Sequence, residues 1–249
     1  MTDVRVELDE HVGVVSLSRP DVRNALTPEM LDALRSAPQQ LIDRGARALL
    51  LVGDGRSFCA GFDLSLCQRD PSGGVMRALL TGLSESIVAW RAVRVPTVLC
   101  AHGAAIAGGA ALLGAFDVVV SHNTAKVGYP VLKLGVSPAV SAPFMRLGAG
   151  DGPTRARLLE PELISGARAH EVGLVHELEP DAEAARARSM ELARELAHKP
   201  PGAIAATKQL LDATTPIADQ AADALDVSRS LTGGPEERER LAALPMRKP

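Results

Sequence analysis

Alternating apolar and polar residues at the start of the chain predict a β-hairpin followed by a helix. Apolar residues occupy every second position over residues 4–9, and residues 12–17 resume the strand pattern after a polar turn. A Thr-Pro-Glu sequence at 27–29 supplies a capping hydroxyl and a proline suited to a first helical turn. Because apolar residues then recur at helical spacing, we expect a helix over residues 28–44.

Short, uninterrupted apolar runs follow and indicate buried strands. Residues 48–53, 97–101 and 118–120 form such runs, which are typical of strands covered on both faces. A helical pattern over residues 75–93 separates the first run from the second. Strands that alternate with helices predict an α/β core with a parallel sheet.

The last third of the chain is predicted to be mostly helical. Four segments there have amphipathic helical spacing: 183–197, 202–212, 217–231 and 235–244. The Pro- and Gly-containing breaks between them are too short to be flexible domain linkers. We therefore divide the chain into an α/β core over residues 1–195 and a C-terminal helical region over residues 196–249.

Composition and charge argue against several classes of partner. The 249 residues carry a net charge of −3 with Lys and Arg scattered along the chain, so we expect no nucleic-acid ligand. No apolar stretch approaches the ~20 residues of a membrane span, and we predict a cytoplasmic protein with no membrane partner. Cys59, Cys67 and Cys100 lack metal-type spacing, so we expect reduced packing residues and no metal site.

Two glycine-containing turns follow buried strands and are the first candidates for chemistry. We call residues 58–64 the first glycine turn and residues 102–110 the second glycine turn. In α/β sheets, ligands bind at the carboxyl ends of the strands, where these turns lie. A glycine turn that leads into a helix presents free backbone N–H groups there. Two such turns could hold one thioester oxygen and stabilise an oxyanion. Glycines at these positions are equally consistent with tight packing alone.

The order and spacing of several motifs resemble the crotonase (enoyl-CoA hydratase/isomerase) superfamily. They are Arg19-Pro20 with Asn24-Ala25-Leu26, the first glycine turn, Gly108-Gly109, and later landmarks in 125–135 and 164–175. The resemblance covers nearly the whole chain. It implies a crotonase-like (ββα)n spiral core with a C-terminal helical trimerisation region, assembled as a homotrimer or a dimer of trimers.

The same resemblance assigns an acyl-CoA thioester as ligand and gives residues to its parts. The oxyanion hole would be the backbone N–H groups of Phe62 and Gly108. Coenzyme A, as part of the ligand rather than a resident cofactor, would contact a second set of residues: Arg23, Ala25, Ala60, Asp63 and Leu64. Lys208 in a late helix would approach a CoA phosphate, although the residue pattern alone fits a solvated surface lysine as well.

The chain departs from the family pattern at its catalytic positions. Hydratases of the family carry one glutamate after the second glycine turn and another after the proline matched to Pro130. Here those positions are Ala111 and Val131, and Ala139 follows Pro138, where some relatives have an aspartate. None of these side chains can transfer a proton, so the usual acid–base hydration is not available.

Three explanations for these departures stay open. One is a lyase or isomerase of fatty acid or related acyl-CoA metabolism with relocated acid and base groups, for which the candidates are Asp70, Glu85, His102 and His122. Another is a non-catalytic acyl-CoA binder or carrier, because apolar residues at both glutamate positions favour a buried fatty chain. The third is a small error in the placement of Val131. A structural or protein-recognition module would require the CoA cleft to be blocked.

Overall fold

A computed structural model describes residues 3–160 and 162–245 of the protein. The strands are β1 (Val4–Asp9), β2 (Val12–Leu17), β3 (Ala48–Gly53), β4 (Thr97–Cys100), β5 (Ala104–Ile106), β6 (Val118–His122), β7 (Lys126–Gly128), β8 (Ile164–Ser165) and β9 (Glu177–Glu179). The helices are α1 (Pro28–Asp43), α2 (Leu64–Gln68), α3 (Gly74–Ala92), α4 (Gly108–Ala111), α5 (Ala142–Ala149), α6 (Asp151–Leu159), α7 (Gly166–Glu171), α8 (Ala182–Ala197), α9 (Pro201–Thr214), α10 (Ala218–Ser230) and α11 (Pro235–Ala242). The α/β prediction is confirmed.

A large, mainly parallel sheet forms the centre of the molecule. Its strands lie in the order β1-β2-β3-β4-β6-β9, and the hairpin β1–β2 is the antiparallel pair. Alternate residues of β3 enter different packing layers. Leu49 and Leu51 pack with the α1–α3 side, whereas Ala48 and Leu50 pack with α8. Helices on both faces explain why these strands are apolar throughout.

Helix α1 begins where the sequence predicts and packs along α3. The Thr27 hydroxyl accepts a hydrogen bond from the Met30 N–H at 3.2 Å, which satisfies a free donor of the first turn. The buried Trp90 of α3 donates from its indole nitrogen to the Leu34 carbonyl at 2.9 Å. This bond and the shared apolar core fix the two helices on one face of the sheet.

A second, smaller sheet lies beside the first and carries the second glycine turn. Its order is β5-β7-β8, with β5 parallel to β7 and β8 antiparallel to β7. Cys59 of the first glycine turn forms an isolated parallel bridge with Ala105 of β5. The small sheet therefore holds the two glycine turns side by side.

The last two C-terminal helices, α10 and α11, pack on different parts of the core. Helix α10 packs on α3 and on the turn at Pro138–Ser141, and α11 packs on α2 and on the turn at Pro130–Leu134. Helices α10 and α11 bury Ala221 and Leu241 against this chain. The trimerisation role of the region and the boundary between residues 195 and 196, which falls in the last turn of α8, stay predictions.

Among the described residues, no helix has the length and apolar character needed to cross a bilayer.

Candidate functional site

The first glycine turn forms a ribbon between two neighbouring segments. The Cys59 N–H donates to the Ala104 carbonyl at 3.0 Å, and the Cys59 carbonyl accepts from the Ile106 N–H at 3.0 Å. On the opposite side, the Leu26 N–H donates to the Gly61 carbonyl at 2.8 Å. These bonds press the first glycine turn against the second.

Asn24 fixes the first glycine turn, a role that the sequence analysis missed. Its Oδ1 accepts from the Arg19 N–H at 2.8 Å, and its Nδ2 donates to the carbonyls of Ser57 and Phe58 at 2.9 and 3.0 Å. Asn24 is buried and has a left-handed backbone with φ of 54°, which asparagine tolerates better than most residues. Its place in a motif was the one signal in the sequence.

The structure brings Phe62 and Gly108 together. The Phe62 ring lies against Gly108, since a methyl group added there would come within 3.2 Å of Phe62 Cε1. Within residues 3–160 and 162–245, neither backbone N–H donates a hydrogen bond to another group of the protein. Both residues line the same cavity. Two backbone donors without a protein acceptor therefore come from residues on one cavity wall.

The backbone just before Gly108 is strained. Ala107 has φ of 52° and ψ of −114°, a conformation that costs a non-glycine residue about 1–3 kcal/mol. It is held because the Ala107 N–H donates to the Gly128 carbonyl at 2.8 Å and the Ala107 carbonyl accepts from the Ala111 N–H at 2.9 Å. The strained residue turns the chain from β5 into α4 and so sets the direction of the Gly108 N–H.

The cavity has a volume of about 120 Å³ and a mainly apolar wall. Its larger apolar side chains include Met76, Leu80, Leu83, Leu134 and Val136. Ala111 and Val131 lie on the same wall, so the structure brings together the two positions that the resemblance matches to catalytic glutamates. In the described part of the chain, the polar side chains on this wall are the hydroxyls of Tyr129, Ser137 and Ser141.

Tyr129 and Ser141 were not singled out from the sequence. The Tyr129 hydroxyl donates to the Ala110 carbonyl at 2.7 Å and ties the turn after β7 to α4. Burial raises the pKa of Tyr129, so the phenol stays protonated. Ser141 is 4% exposed and lines the cavity at the end of the Pro138–Ser141 turn. The cavity can therefore offer hydroxyl groups to a ligand, but no group on this wall titrates near neutral pH.

The two carboxylates predicted as relocated acids lie outside this cavity. Asp70 caps the start of α3, where its Oδ2 accepts from the Val75 N–H at 2.7 Å. A hydrogen bond from Ser72 and the one from Val75 hold the pKa of Asp70 below its ordinary value. Glu85 is exposed and pairs with Arg35 at 3.5 Å. Neither carboxylate lines the cavity of Phe62 and Gly108.

The two candidate histidines also stand elsewhere. His102 is fully buried, and its Nε2 lies 2.7 Å from a guanidinium nitrogen of Arg186. Burial, together with the charge of Arg186, lowers the pKa of His102 to about 4. His122 accepts from the Gly103 N–H at 2.9 Å through Nε2, and burial lowers its pKa as well. Both histidines serve the packing behind the second glycine turn.

The residues predicted to contact CoA are only partly brought to one place. Ala60 and Leu64 line the cavity, Ala25 is buried behind it, and Arg23 is exposed with its carbonyl bound by the Ala60 N–H at 3.0 Å. Asp63 is occupied by other groups.

The Asp63 carboxylate accepts from Arg19 at 3.0 Å and from the Ser65 hydroxyl at 2.7 Å. Burial alone would raise the pKa of Asp63, but the bonds from Ser65 and Arg19 outweigh it, so the pKa lies below its ordinary value. Asp63 therefore connects the end of the first glycine turn to Arg19 and to Ser65 in α2.

Lys208 differs from the solvated surface lysine considered above. Its side chain is buried, and its Nζ lies 2.6 Å from Asp117 Oδ2 and 3.1 Å from the Val95 carbonyl. It joins α9 to the strand ends of the large sheet and lies outside the lining of the cavity. Contact with a CoA phosphate would require Lys208 to leave Asp117, and that role stays a prediction.

No group of three or more His, Cys, Asp or Glu side chains in the described ranges could hold a metal ion.

Comparisons with known proteins give one consistent family. The family described as enoyl-CoA hydratase/isomerase matches residues 7–239. A Thermus thermophilus protein described as an enoyl-CoA hydratase is 35% identical over 81% of this chain and 80% of its own length. An enoyl-CoA hydratase of Mycobacterium tuberculosis is 32% identical over 82% of this chain and 78% of its own.

Solved structures give the same result for the fold. A crystal structure of an enoyl-CoA hydratase/isomerase from Mycobacterium paratuberculosis has a TM-score of 0.89 at 23% identity, covering 98% of this chain and 99% of the other. The enoyl-CoA hydratase of Bacillus halodurans has a TM-score of 0.86 at 25% identity, covering 98% and 100%.

Proposed function

Because the chain belongs to the enoyl-CoA hydratase/isomerase family and has its crotonase-like fold, we propose that it binds an acyl-CoA thioester. The thioester carbonyl lies between the backbone N–H groups of Phe62 and Gly108. The observation that carries this proposal is the pair of backbone donors, one from each glycine turn, that have no acceptor in the part of the protein that the structure describes. An oxyanion between two such donors is stabilised without reorganisation of the protein.

The acyl group occupies the apolar cavity behind these donors. Each buried CH₂ contributes about 0.8 kcal/mol, so the methyl groups of Ala111 and Val131 favour a hydrocarbon over water. A dry wall also strengthens the hydrogen bonds to the carbonyl oxygen, because the local dielectric is low. Binding and polarisation of the thioester are therefore the two actions that this wall supports.

The chemistry differs from two-glutamate hydration. An enzyme of this kind would rely on the polarised thioester and on groups such as the hydroxyls of Tyr129, Ser137 and Ser141, which position a ligand but do not take up a proton at neutral pH. The alternative is a non-catalytic acyl-CoA binder or carrier. The apolar side chains at positions 111 and 131 favour this second function.

The test of thioester binding varies the ligand and leaves the protein unchanged. Calorimetry compares a saturated acyl-CoA with the S-alkyl-CoA thioether of equal length, which lacks the carbonyl oxygen. Two hydrogen bonds, each worth about 0.5–1.5 kcal/mol, predict a Kd about tenfold or more lower for the thioester. Equal affinity for the two ligands would remove the oxyanion hole from the proposal, and failure of both to bind would remove acyl-CoA as the ligand.

The test of reaction uses enoyl-CoA substrates. Absorbance at the enoyl-thioester band is followed with crotonyl-CoA and with a longer enoyl-CoA. Turnover would favour an enzyme with relocated groups, whereas tight binding without turnover of either substrate would favour the carrier.

A further inference from the structure

A second cavity of about 230 Å³ lies between α2, the start of α3 and α11. Its wall includes Cys67, Gln68, Asp70, Met76, Glu237 and Leu241. Met76 also lines the acyl cavity, so the two cavities share this side chain. A methionine side chain is unbranched and adopts many shapes, which makes it a wall that a ligand can displace.

Glu237 is the unusual group of this second cavity. Glu237 is 1% exposed, and its Oε2 accepts a hydrogen bond from the Gly233 N–H. Its Oε1 is buried and has no hydrogen-bond partner among the described residues. A buried acceptor without a donor costs about 1–3 kcal/mol, and more if it is charged. The oxygen therefore favours any ligand that brings a donor.

Arg238 also lines the second cavity, while Arg77 and Asp70 beside it are already engaged. Arg77 donates to the Thr232 hydroxyl at 3.2 Å and to the Ser72 carbonyl at 3.0 Å. Asp70 accepts from Ser72 and from the start of α3. Within residues 3–160 and 162–245, no lysine or arginine forms an ion pair with Glu237. Among the described residues, Oε1 is therefore left without a donor, and Glu237 lines the cavity.

Helix α11 is fixed in this position by α2. Gln68 Nε2 donates to the Leu241 carbonyl at 3.0 Å and to the Leu244 carbonyl at 3.1 Å. Burial raises the pKa of the Cys67 thiol to about 12, and the nearby charge of Glu237 adds to the shift. The thiol therefore stays neutral, and the second cavity is lined by a fixed carboxylate with one oxygen that lacks a donor among the described residues.

From this arrangement, and on the basis of the proposed acyl-CoA binding, we infer that the second cavity receives the distal end of an acyl chain that carries a hydroxyl group. One end of the ligand is held at Phe62 and Gly108, the hydrocarbon passes Met76, and the distal hydroxyl donates to Glu237 Oε1. A methyl-terminated chain of the same length would cover the oxygen and leave it without a donor. The substrate class is therefore an acyl-CoA that is hydroxylated far from the thioester.

The experiment is calorimetry with two series of acyl-CoA ligands of increasing length. One series ends in a methyl group and the other in a hydroxyl group that replaces this methyl. We expect equal affinities for short chains. Once the chain is long enough to reach Glu237, the hydroxyl series should have a Kd about tenfold lower, as for a hydrogen bond to a charged acceptor.

Three variants assign the effect to its residue. Glu237→Gln keeps the shape and a neutral acceptor, so the preference should fall to a few-fold. Glu237→Met removes the acceptor and should reverse the preference toward the methyl series. Glu239 lies on the exposed part of α11, so Glu239→Gln is the matched control and should keep the tenfold preference.

The outcomes separate this inference from the proposed function. Binding of the methyl series without a hydroxyl preference at any length would overturn the inference and leave the proposed function standing. A preference that survives in Glu237→Met would overturn the role of Glu237. Failure of every acyl-CoA to bind would overturn the proposed function and the inference together.

Discussion

At the residue scale, Ala111 and Val131 decide what the cavity can do. We expect the double substitution of Ala111→Glu and Val131→Glu to give hydration of crotonyl-CoA, because it restores two proton-transfer groups beside the proposed oxyanion hole. Each new carboxylate in this apolar wall should lower the free energy of unfolding by about 1–3 kcal/mol. The enoyl-thioester absorbance measures the first effect and urea unfolding the second.

The control replaces the same positions with glutamine. General acid–base catalysis typically contributes about 10²–10⁴-fold, so the double glutamine variant should be at least about a hundredfold slower than the double glutamate variant. Equal rates for the two variants would contradict the assignment of these positions.

His102 makes a second prediction at this scale, for stability against pH. Its pKa is lowered to about 4 in the folded protein by burial and by Arg186, whereas the unfolded chain has the ordinary value near 6.5. Between these values the unfolded state binds the extra proton. The contribution to stability is therefore complete above about pH 6.5 and is lost as the pH falls toward 4, on the order of 2–3 kcal/mol.

Urea unfolding between pH 7 and pH 4 measures this loss. His102→Gln, which keeps an acceptor for Arg186, should flatten the pH dependence, although His122 and His176, whose pKa values burial also lowers, leave part of the slope. His198→Gln on the exposed end of α8 is the control and should keep the full slope. An unchanged slope in His102→Gln would contradict the prediction.

The residues that the sequence analysis found and missed differ in where their signal lies. Phe62 and Gly108 sit in glycine turns that are continuous in the sequence. Lys208 meets Asp117 across 91 residues, and the burial of Glu237 depends on how α11 packs against α2. A charge on an amphipathic helix gives no local sign that it is buried, so neither contact could be predicted.

At the scale of elements, the site depends on the close approach of the two glycine turns. A methyl group at Gly109 would lie 2.6 Å from the Cys59 carbonyl oxygen, which is too close. Because this oxygen belongs to the backbone, it can move away only if the first glycine turn shifts. We expect Gly109→Ala to lower the free energy of unfolding by about 1–3 kcal/mol or more and to weaken acyl-CoA binding, as in other overpacked cores. Thermal unfolding and calorimetry measure the two effects.

Gly152→Ala is the matched control within α6. Apart from its chain neighbours and the backbone of α6, no described atom lies within 4 Å of the added methyl group, so the change should stabilise the protein by about 0.5–1 kcal/mol and leave binding unchanged. A neutral result for Gly109→Ala would mean that the two turns are not in tight contact.

Predictability also varied among the elements. The opening hairpin, α1 and β3 follow local signals, namely alternation, a Thr-Pro cap and an uninterrupted apolar run, and the structure confirms them. The small sheet was missed because β5, β7 and β8 have two or three residues each, too few for a period to be visible. Their pairing arises from contacts between distant segments.

At the scale of the whole molecule, α9 supports the expected assembly. Lys208 is its buried residue, while Leu210 and Leu211 are 64% and 57% exposed. In the predicted assembly, another subunit covers these adjacent exposed leucines. We predict a homotrimer, or a dimer of trimers, that Leu210→Glu with Leu211→Glu converts to smaller species, as measured by light scattering after gel filtration.

Gln209→Glu adds a charge to the same helix at an exposed polar position and is the control for this experiment. It should leave the assembly intact. A wild-type monomer, or an unchanged mass for the double glutamate variant, would contradict the prediction.

The strands of the large sheet stand side by side in the order in which they occur in the chain. During synthesis the sheet can therefore grow at one edge only, as each new strand emerges and pairs with an earlier one. Helix α11, which closes the second cavity, is the last described helix to emerge. Synthesis thus separates two events: the strands of the scaffold emerge first, and the wall beside Glu237 emerges after all of them.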